Sequence, residues 1–177
     1  VVSEVSDADP EILRLPARSL AVDGVRETTW RQGTALADLR RRSLLKRLAL
    51  LEAGRRLLDT QDLGALSVAQ LTRDAGMAVG SFYSRFEDKN AWFAELLRVT
   101  GVQVLDDTAR LLAGPGWRRA PTGRKVALIV RHLVGIHRRH RGIFRAAHFD
   151  SARSSLYWPQ LHAFGQRIAD EVHQALA

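Results

Sequence analysis

The sequence predicts an all-α fold. Apolar side chains recur every three or four residues in four long stretches, which is the spacing of one face of a helix. Glycine and proline interrupt the chain between these stretches, most clearly at Gly114-Pro115-Gly116. No run alternates apolar and polar residues as a half-buried strand would. These three observations favour about seven helices and no sheet.

Capping and breaking residues predict where each helix begins and ends. The first helix starts near Leu39, ends near Thr60 and is followed by a break at Gly64. Asp88 is a good N-cap and opens a long helix that stops at Gly114. The other helices are predicted at Val68–Asp74, Val79–Phe86, Thr122 to about His140, Gly142–Phe149 and Pro159–Ala177, the last with proline at a favourable first position.

This element order divides the chain into three parts. Residues 1–40 show no sustained periodicity and are predicted to form an irregular N-terminal arm. Residues 41–87 are predicted to form a three-helix module, and residues 88–177 a second helical domain.

Composition limits the classes of function. The chain has 177 residues and a net charge of +8, and a basic chain attracts polyanions, although many basic proteins bind no nucleic acid. It contains no cysteine, which excludes disulfides and thiolate metal sites. It has no signal peptide and no apolar run approaching the roughly 20 residues that span a bilayer. We therefore expect a cytoplasmic protein that has no cofactor, no metal and no membrane partner.

The stretch from Ser67 to Phe86 carries the functional information. Ser67 and Gln70 have the spacing of a capping box, so a helix should begin there. Gly76 suits the left-handed residue that ends a helix. In the second helix Phe82 and Phe86 would face inward, and the opposite face would carry Gly80, Ser81, Tyr83 and Ser84. A small, polar helix start is what entry into a major groove requires.

A plain helical hairpin is the alternative interpretation, because Ala-Gly turns between helices are common. The residues after the turn favour a DNA-binding motif over a plain helical hairpin. Tyr83 and Lys89 place a phenol and an ammonium beside the second helix, where both could reach phosphates.

Residues 44–93 resemble the DNA-binding domain of the TetR family of transcriptional regulators. The resemblance is carried by Leu50-Leu51-Glu52-Ala53-Gly54, Leu57-Leu58, Leu66-Ser67-Val68, Leu71, Ala75-Gly76-Met77, Gly80-Ser81-Phe82-Tyr83, Phe86 and Asp88-Lys89. Gly54 and Thr72 stand where the family usually has Ala, and Ala78 where it often has a Ser cap. These departures should each cost about 1 kcal/mol of local helix stability.

The resemblance implies a role for particular side chains at the DNA. Phosphate contacts are expected from Ser67, Gly80, Tyr83 and Lys89, and base contacts from Val79, Ser81 and Ser84. Cations at the start of the first helix could add phosphate contacts or simply form a solvated face; these are Arg40, Arg41, Arg42, Lys46 and Arg47.

The resemblance further implies that the protein is a transcriptional regulator, and a repressor more than an activator. It would bind an inverted-repeat operator in double-stranded DNA as a homodimer. A small-molecule effector would release it from the operator. An effector pocket is predicted among Trp92, Phe93, His132, Phe144, Phe149 and Trp158, although aromatic residues at helical spacing are more often plain core. Family members usually continue through two more helices that form the dimer. Here the interface comes either from residues missing from this sequence or from the helix at 159–177 together with the N-terminal arm.

One basic stretch has two interpretations. Between Trp117 and Phe149 the chain has eight Arg, one Lys and no acid. It is either a solvated surface or a site for an anionic effector or for DNA.

An enzyme and a protein-binding adaptor are the two alternative classes of function. An enzyme is disfavoured because no nucleophile, base and acid form a set, and because Gly114-x-Gly116 does not follow a strand. A helical adaptor that binds proteins but not DNA is disfavoured by Tyr83, Lys89 and the small residues of the second helix.

Overall fold

The computed structural model describes residues 35–149 and 154–176. All of the regular elements in this part of the chain are helices, which confirms the all-α prediction. They are α1 (Ala35–Leu58), α2 (Val68–Asp74), α3 (Gly80–Tyr83), α4 (Lys89–Ala113), α5 (Pro115–Arg118), α6 (Thr122–Arg139), α7 (Arg141–Phe149) and α8 (Ser154–Leu176).

Several boundaries differ from those predicted. α1 begins at Ala35, inside the segment expected to be an irregular arm, and the rest of that arm lies outside the described residues. α3 ends at Tyr83 instead of Phe86. α8 begins before Pro159, which therefore lies within the helix and not at its first position. Gly114-Pro115-Gly116 does stop α4, but proline then starts the additional short helix α5.

One apolar core joins the helices from α1 to α4 and continues into α7 and α8. Its fully buried side chains include Leu50, Leu51, Leu58, Leu63, Leu66, Leu71, Phe82, Trp92 and Phe93. The Trp92 ring lies against α1, where its indole Nε1 donates a hydrogen bond to the Leu50 carbonyl at 3.3 Å. The bond matters because a buried indole N–H without a partner would be costly.

Gly54 is required by this packing. A Cβ built at Gly54 would lie 1.9 Å from Cζ2 of Trp92, so any side chain there would collide with the indole. The absence of alanine at this position is therefore not simply a loss of helix propensity. The space of the missing methyl group is filled by the Trp92 ring.

The C-terminal helices attach to the N-terminal module at two places. α8 packs against α4, where Phe164 lies so close to Gly101 that a Cβ at Gly101 would be 2.3 Å from its ring. α7 meets the end of α1, where a Cβ at Gly142 would lie 2.3 Å from the Leu58 carbonyl oxygen. α6, by contrast, leaves a row of large apolar side chains 40–54% exposed, namely Val126, Val130, Leu133 and Val134.

Candidate nucleic-acid interface

α2 starts at the predicted capping box. The Gln70 backbone N–H donates to Ser67 Oγ at 3.2 Å, and the Ser67 N–H donates to Gln70 Oε1 at 2.8 Å. The Ser67 hydroxyl also donates to Gln70 Oε1, at 3.0 Å. Rotation of the hydroxyl proton toward a phosphate oxygen would break only this last bond and would leave the two capping bonds intact. Ser67 thus has a capping role in the structure, and its phosphate contact stays a prediction.

A tight turn separates α2 from α3. Gly76 has φ +66°, the left-handed conformation predicted for it. The Met77 N–H then donates to the Thr72 carbonyl at 2.7 Å. Thr72 is buried, but its hydroxyl donates to the Val68 carbonyl at 3.0 Å. The expected penalty at Thr72 is therefore offset, because no polar atom of that side chain is left unsatisfied.

α3 is a short helix with one buried and one exposed side. Phe82 is fully buried and packs on Phe86, with ring centroids 5.4 Å apart. Val79, immediately before the helix, is 45% exposed and Tyr83 is 59% exposed. No atom lies within 4 Å of a Cβ built at Gly80, so the backbone there is open to close approach.

Ser81 and Ser84 are less available than the sequence suggested. Ser81 is only half-exposed. The Ser84 hydroxyl donates to the Ser81 carbonyl at 3.0 Å and accepts a hydrogen bond from Arg85 Nη1 at 2.6 Å. Arg85 also donates to the Ser81 carbonyl, at 2.7 Å. These bonds close the end of α3, which explains why it stops short of Phe86.

The Lys89 ammonium is bonded to backbone carbonyls of the same chain. Its Nζ donates to the carbonyls of Leu63 at 2.7 Å, Leu66 at 2.8 Å and Gly64 at 3.3 Å. An ammonium has three N–H donors, and these three carbonyls can take all of them. In this structure Lys89 fixes the loop between α1 and α2 onto the start of α4, and its phosphate contact stays a prediction.

The first half of α1 presents cations on its surface. Arg40, Arg41, Arg42 and Lys46 are exposed. Arg47 differs, because it lies 3.2 Å from Glu95 and over the Phe86 ring at 5.3 Å. These four cations lie beyond the first turn of α1, so the helix dipole does not determine their effect on its stability.

An ion-pair network holds α1 to α4 beneath these cations. Glu95 accepts from Arg98 Nε at 2.8 Å and also contacts Arg47. Burial raises the pKa of the Glu95 carboxyl, but hydrogen bonds and charge from Arg98 and Arg47 outweigh burial and leave that pKa below its ordinary value. The carboxylate is thus charged at neutral pH and can orient both guanidinium groups.

The six residues of the predicted effector pocket lie in different surroundings. Trp92 and Phe93 are fully buried in the apolar core. His132 is half-buried, with Nε2 3.0 Å from the Thr108 hydroxyl. Phe144 packs on His137 and His140, and the Phe149 side chain lies outside the described part.

Trp158, the sixth of these residues, borders a cleft at the surface. A cavity of about 280 Å³ lies between α7 and α8 and is lined by His148, Trp158, Leu161, His162, Gly165 and Gln166. Sequence reasoning missed His162. The four-residue spacing between Trp158 and His162 could have indicated it, because this spacing puts both rings on one face of a helix.

Comparison with known families identifies the N-terminal module. Residues 50–96 match the family model described as bacterial regulatory proteins, tetR family. No curated protein matches the chain. Within the described ranges no three His, Asp or Glu residues are grouped so as to hold a metal ion, and none of the helices there is long and apolar enough to cross a membrane.

Proposed function

We propose that this chain, whose residues 50–96 match the model of the tetR family of bacterial regulatory proteins, is a cytoplasmic repressor. It binds an inverted-repeat operator as a homodimer and is released by a small-molecule effector. The match to the family model supports DNA binding and transcriptional regulation. The inverted-repeat operator, the effector, the homodimer and the repressor role are proposed here in addition.

The surface at α3 is the observation that supports a groove contact most directly. Val79, Gly80 and Tyr83 are exposed side by side. The fully buried Phe82 anchors them to the core from the other side of the helix. A contact surface held by a rigid core loses little conformational entropy on binding, and an exposed apolar Val79 matches a thymine methyl group.

The small size of the surface at α3 supports the proposed homodimer. A helix of four residues can read only a few base pairs, which cannot distinguish an operator from the rest of a genome. Two copies related by a two-fold axis would read two half-sites, with α3 and its symmetry mate about 34–36 Å apart or a multiple of one duplex turn. The α1 cations are placed to add phosphate contacts beside each half-site.

Selection from a random DNA pool tests the proposal. We expect an inverted repeat, and a fluorescence anisotropy titration of that site should fall steeply with salt. Tyr83→Ala should weaken the binding of every sequence about equally. Val79→Ser should instead change the preferred base at one position per half-site, by about 1–3 kcal/mol.

A surface variant away from α3 provides the control. Val126 on α6 is 50% exposed, close to the exposure of Tyr83, and Val126→Ala should leave the DNA titration unchanged. Selection that yields no consensus, or binding that ignores salt, would contradict the proposal and favour the protein-binding adaptor. Sedimentation of the operator complex should show two chains per site, and one chain at full affinity would exclude the dimer.

A further inference from the structure

The cleft between α7 and α8 has a surface suited to a flat aromatic molecule. The Trp158 indole is 50% exposed, an unusual position for so large an apolar ring. Its neighbours are His148, with ring centroids 5.1 Å apart, and His162, which is stacked at 6.2 Å and 26°. Aromatic rings attract one another in offset and edge arrangements at such distances. The three rings therefore form a series whose central member is open to solvent.

The size and lining of the cleft limit the occupant to a small molecule. A cavity of about 280 Å³ is at the lower end of the range for ligand pockets, which suits one or two fused rings. Leu161 adds an apolar wall, and no atom lies within 4 Å of a Cβ built at Gly165, so the cavity is open there. The imidazoles and the Gln166 amide are the polar groups that could orient a substituent.

Charge favours an anion over a cation. An exposed indole could also bind a cation, but the lining of the cleft contains no carboxylate. From Trp117 to Ala177 the sequence contains eleven Lys or Arg and three acids, Asp150, Asp170 and Glu171. The potential around the cleft should thus be positive, which repels cations and attracts carboxylates.

We propose that this cleft binds a planar aromatic carboxylate, which stacks on Trp158 and directs its carboxylate to the imidazoles and to Gln166. As the effector site of a regulator this inference rests on the proposed function. It places an anion at the C-terminal end of the basic stretch between Trp117 and Phe149, where His148 lines the cleft.

α7 provides the connection from this cleft to the DNA-binding module. His148 lies near one end of this nine-residue helix and Gly142 near the other, in contact with the end of α1. Between them Arg145 Nη2 donates to the carbonyls of Leu58 at 2.9 Å and Gln61 at 3.1 Å. Carbonyls at the end of a helix have no partner within it, so Arg145 ties α7 to the last turn of α1. A ligand that moves His148 would move these contacts.

Calorimetry on the full chain tests the binding site. The probe is 2-naphthoate, and a ligand of this size should reach a Kd on the order of 0.1 mM. Two controls separate its features. Decalin-2-carboxylate keeps the charge without the aromatic rings, and 2-naphthamide keeps the rings without the charge. Each should bind about tenfold more weakly, since stacking and charge contribute separately.

Two variants locate the site. Trp158→Ala should weaken 2-naphthoate about tenfold, whereas Val126→Ala, which alters a side chain of equal exposure on α6, should not. Trp158→Phe should keep most of the affinity and shows that the loss in Trp158→Ala is not unfolding. Equal affinity for decalin-2-carboxylate or 2-naphthamide, or unchanged affinity in Trp158→Ala, would overturn the proposal.

A second measurement tests the link to DNA. Saturating 2-naphthoate should weaken operator binding at least about fivefold. Arg145→Gln should reduce this effect while 2-naphthoate alone still binds. Arg138→Gln, which removes an exposed positive charge on α6, should leave the effect unchanged. An unchanged effect in Arg145→Gln would exclude the α7 connection. Failure to select any operator would contradict the regulator, whereas the calorimetry would still decide the cleft.

Discussion

Trp92 and Trp158 show how differently the two parts of the molecule are built. Trp92 is fully buried, hydrogen-bonded to α1 and fitted against a glycine, whereas Trp158 is half-exposed between two imidazoles. The first ring belongs to an apolar core that fixes the position of α3. The second belongs to a surface where α6 and α8 leave apolar side chains open. The surface proposed to contact DNA is thus held by the core around Trp92, and the C-terminal helices have surface available for other contacts.

The largest expected difference between the two parts is in the free energy of unfolding. Trp92→Ala should lower it by about 3–5 kcal/mol, because the change leaves a cavity and removes the bond to Leu50. Trp158→Ala should cost less than about 1 kcal/mol, because half of that ring is already in water. Urea unfolding of both variants measures this. Similar losses would show that the two regions do not differ as described.

Acid should destabilise the two parts in different pH ranges. His140 is buried, and burial, together with the charges of Arg139 and Arg55, lowers its pKa to about 4; Asp107 and Asp59 oppose this weakly. Protonation therefore favours the unfolded chain, where the pKa is near 6.5. The free energy of unfolding should fall between about pH 6.5 and pH 4, by up to about 3 kcal/mol from this one group.

Glu95 in the N-terminal module has the opposite arrangement. Its carboxyl pKa is below the ordinary value of 4.5, so its stabilising contribution is present above that pH and is lost only as the pH falls lower. His140→Gln should therefore flatten the pH dependence from 6.5 to 4, and Glu95→Gln should not. Urea unfolding at several pH values gives both slopes. His137→Gln, at an exposed position, is the control and should leave the slope as it is.

The fit of Trp92 to Gly54 can be tested by a double-mutant cycle. Gly54→Ala should cost about 1–3 kcal/mol, because the new methyl group collides with the indole. Phenylalanine lacks the part of the ring that lies against Gly54, so Gly54→Ala should cost less in a Trp92→Phe background. Gly64→Ala, with no atom within 4 Å of its Cβ, is the matched control. Additive losses would show that the two residues do not interact.

The fold was predictable where a short stretch of sequence determines the geometry. The capping box at Ser67 and the turn at Gly76 depend on residues within three or four positions, and both were predicted. The deep burial of Trp92 and the three carbonyls around Lys89 were not. Both depend on contacts between residues more than 20 positions apart, which periodicity does not reveal. The same limit explains why the sequence cannot separate core aromatic residues such as Trp92 from pocket residues, since helical spacing is common to both.

The smallest expected effects separate the two kinds of cation in the N-terminal module. Lys89→Ala should lower the free energy of unfolding by about 1–2 kcal/mol, because it removes charge-assisted hydrogen bonds to the Leu63 and Leu66 carbonyls. The salt dependence of DNA binding should stay the same, since the ammonium neutralises no phosphate. Arg42 is exposed near the start of α1, and Arg42→Ala should leave the unfolding curve unchanged. It should instead reduce the slope of log K against log salt by about 0.9.

Urea unfolding and salt titrations of DNA binding are measured for Lys89→Ala and Arg42→Ala. Lys125→Ala, on α6, is the control for the change in net charge. Each variant removes one positive charge, so a change in slope shared by all three would reflect only the overall potential. A slope that falls by one unit in Lys89→Ala alone would show that its ammonium leaves the loop to bind phosphate. In that case the Lys89 contacts belong to the free protein, and operator binding must break them. Their loss would then be a cost of binding that Lys89→Ala removes, so its affinity at high salt, where phosphate attraction is screened, would exceed that of the parent chain.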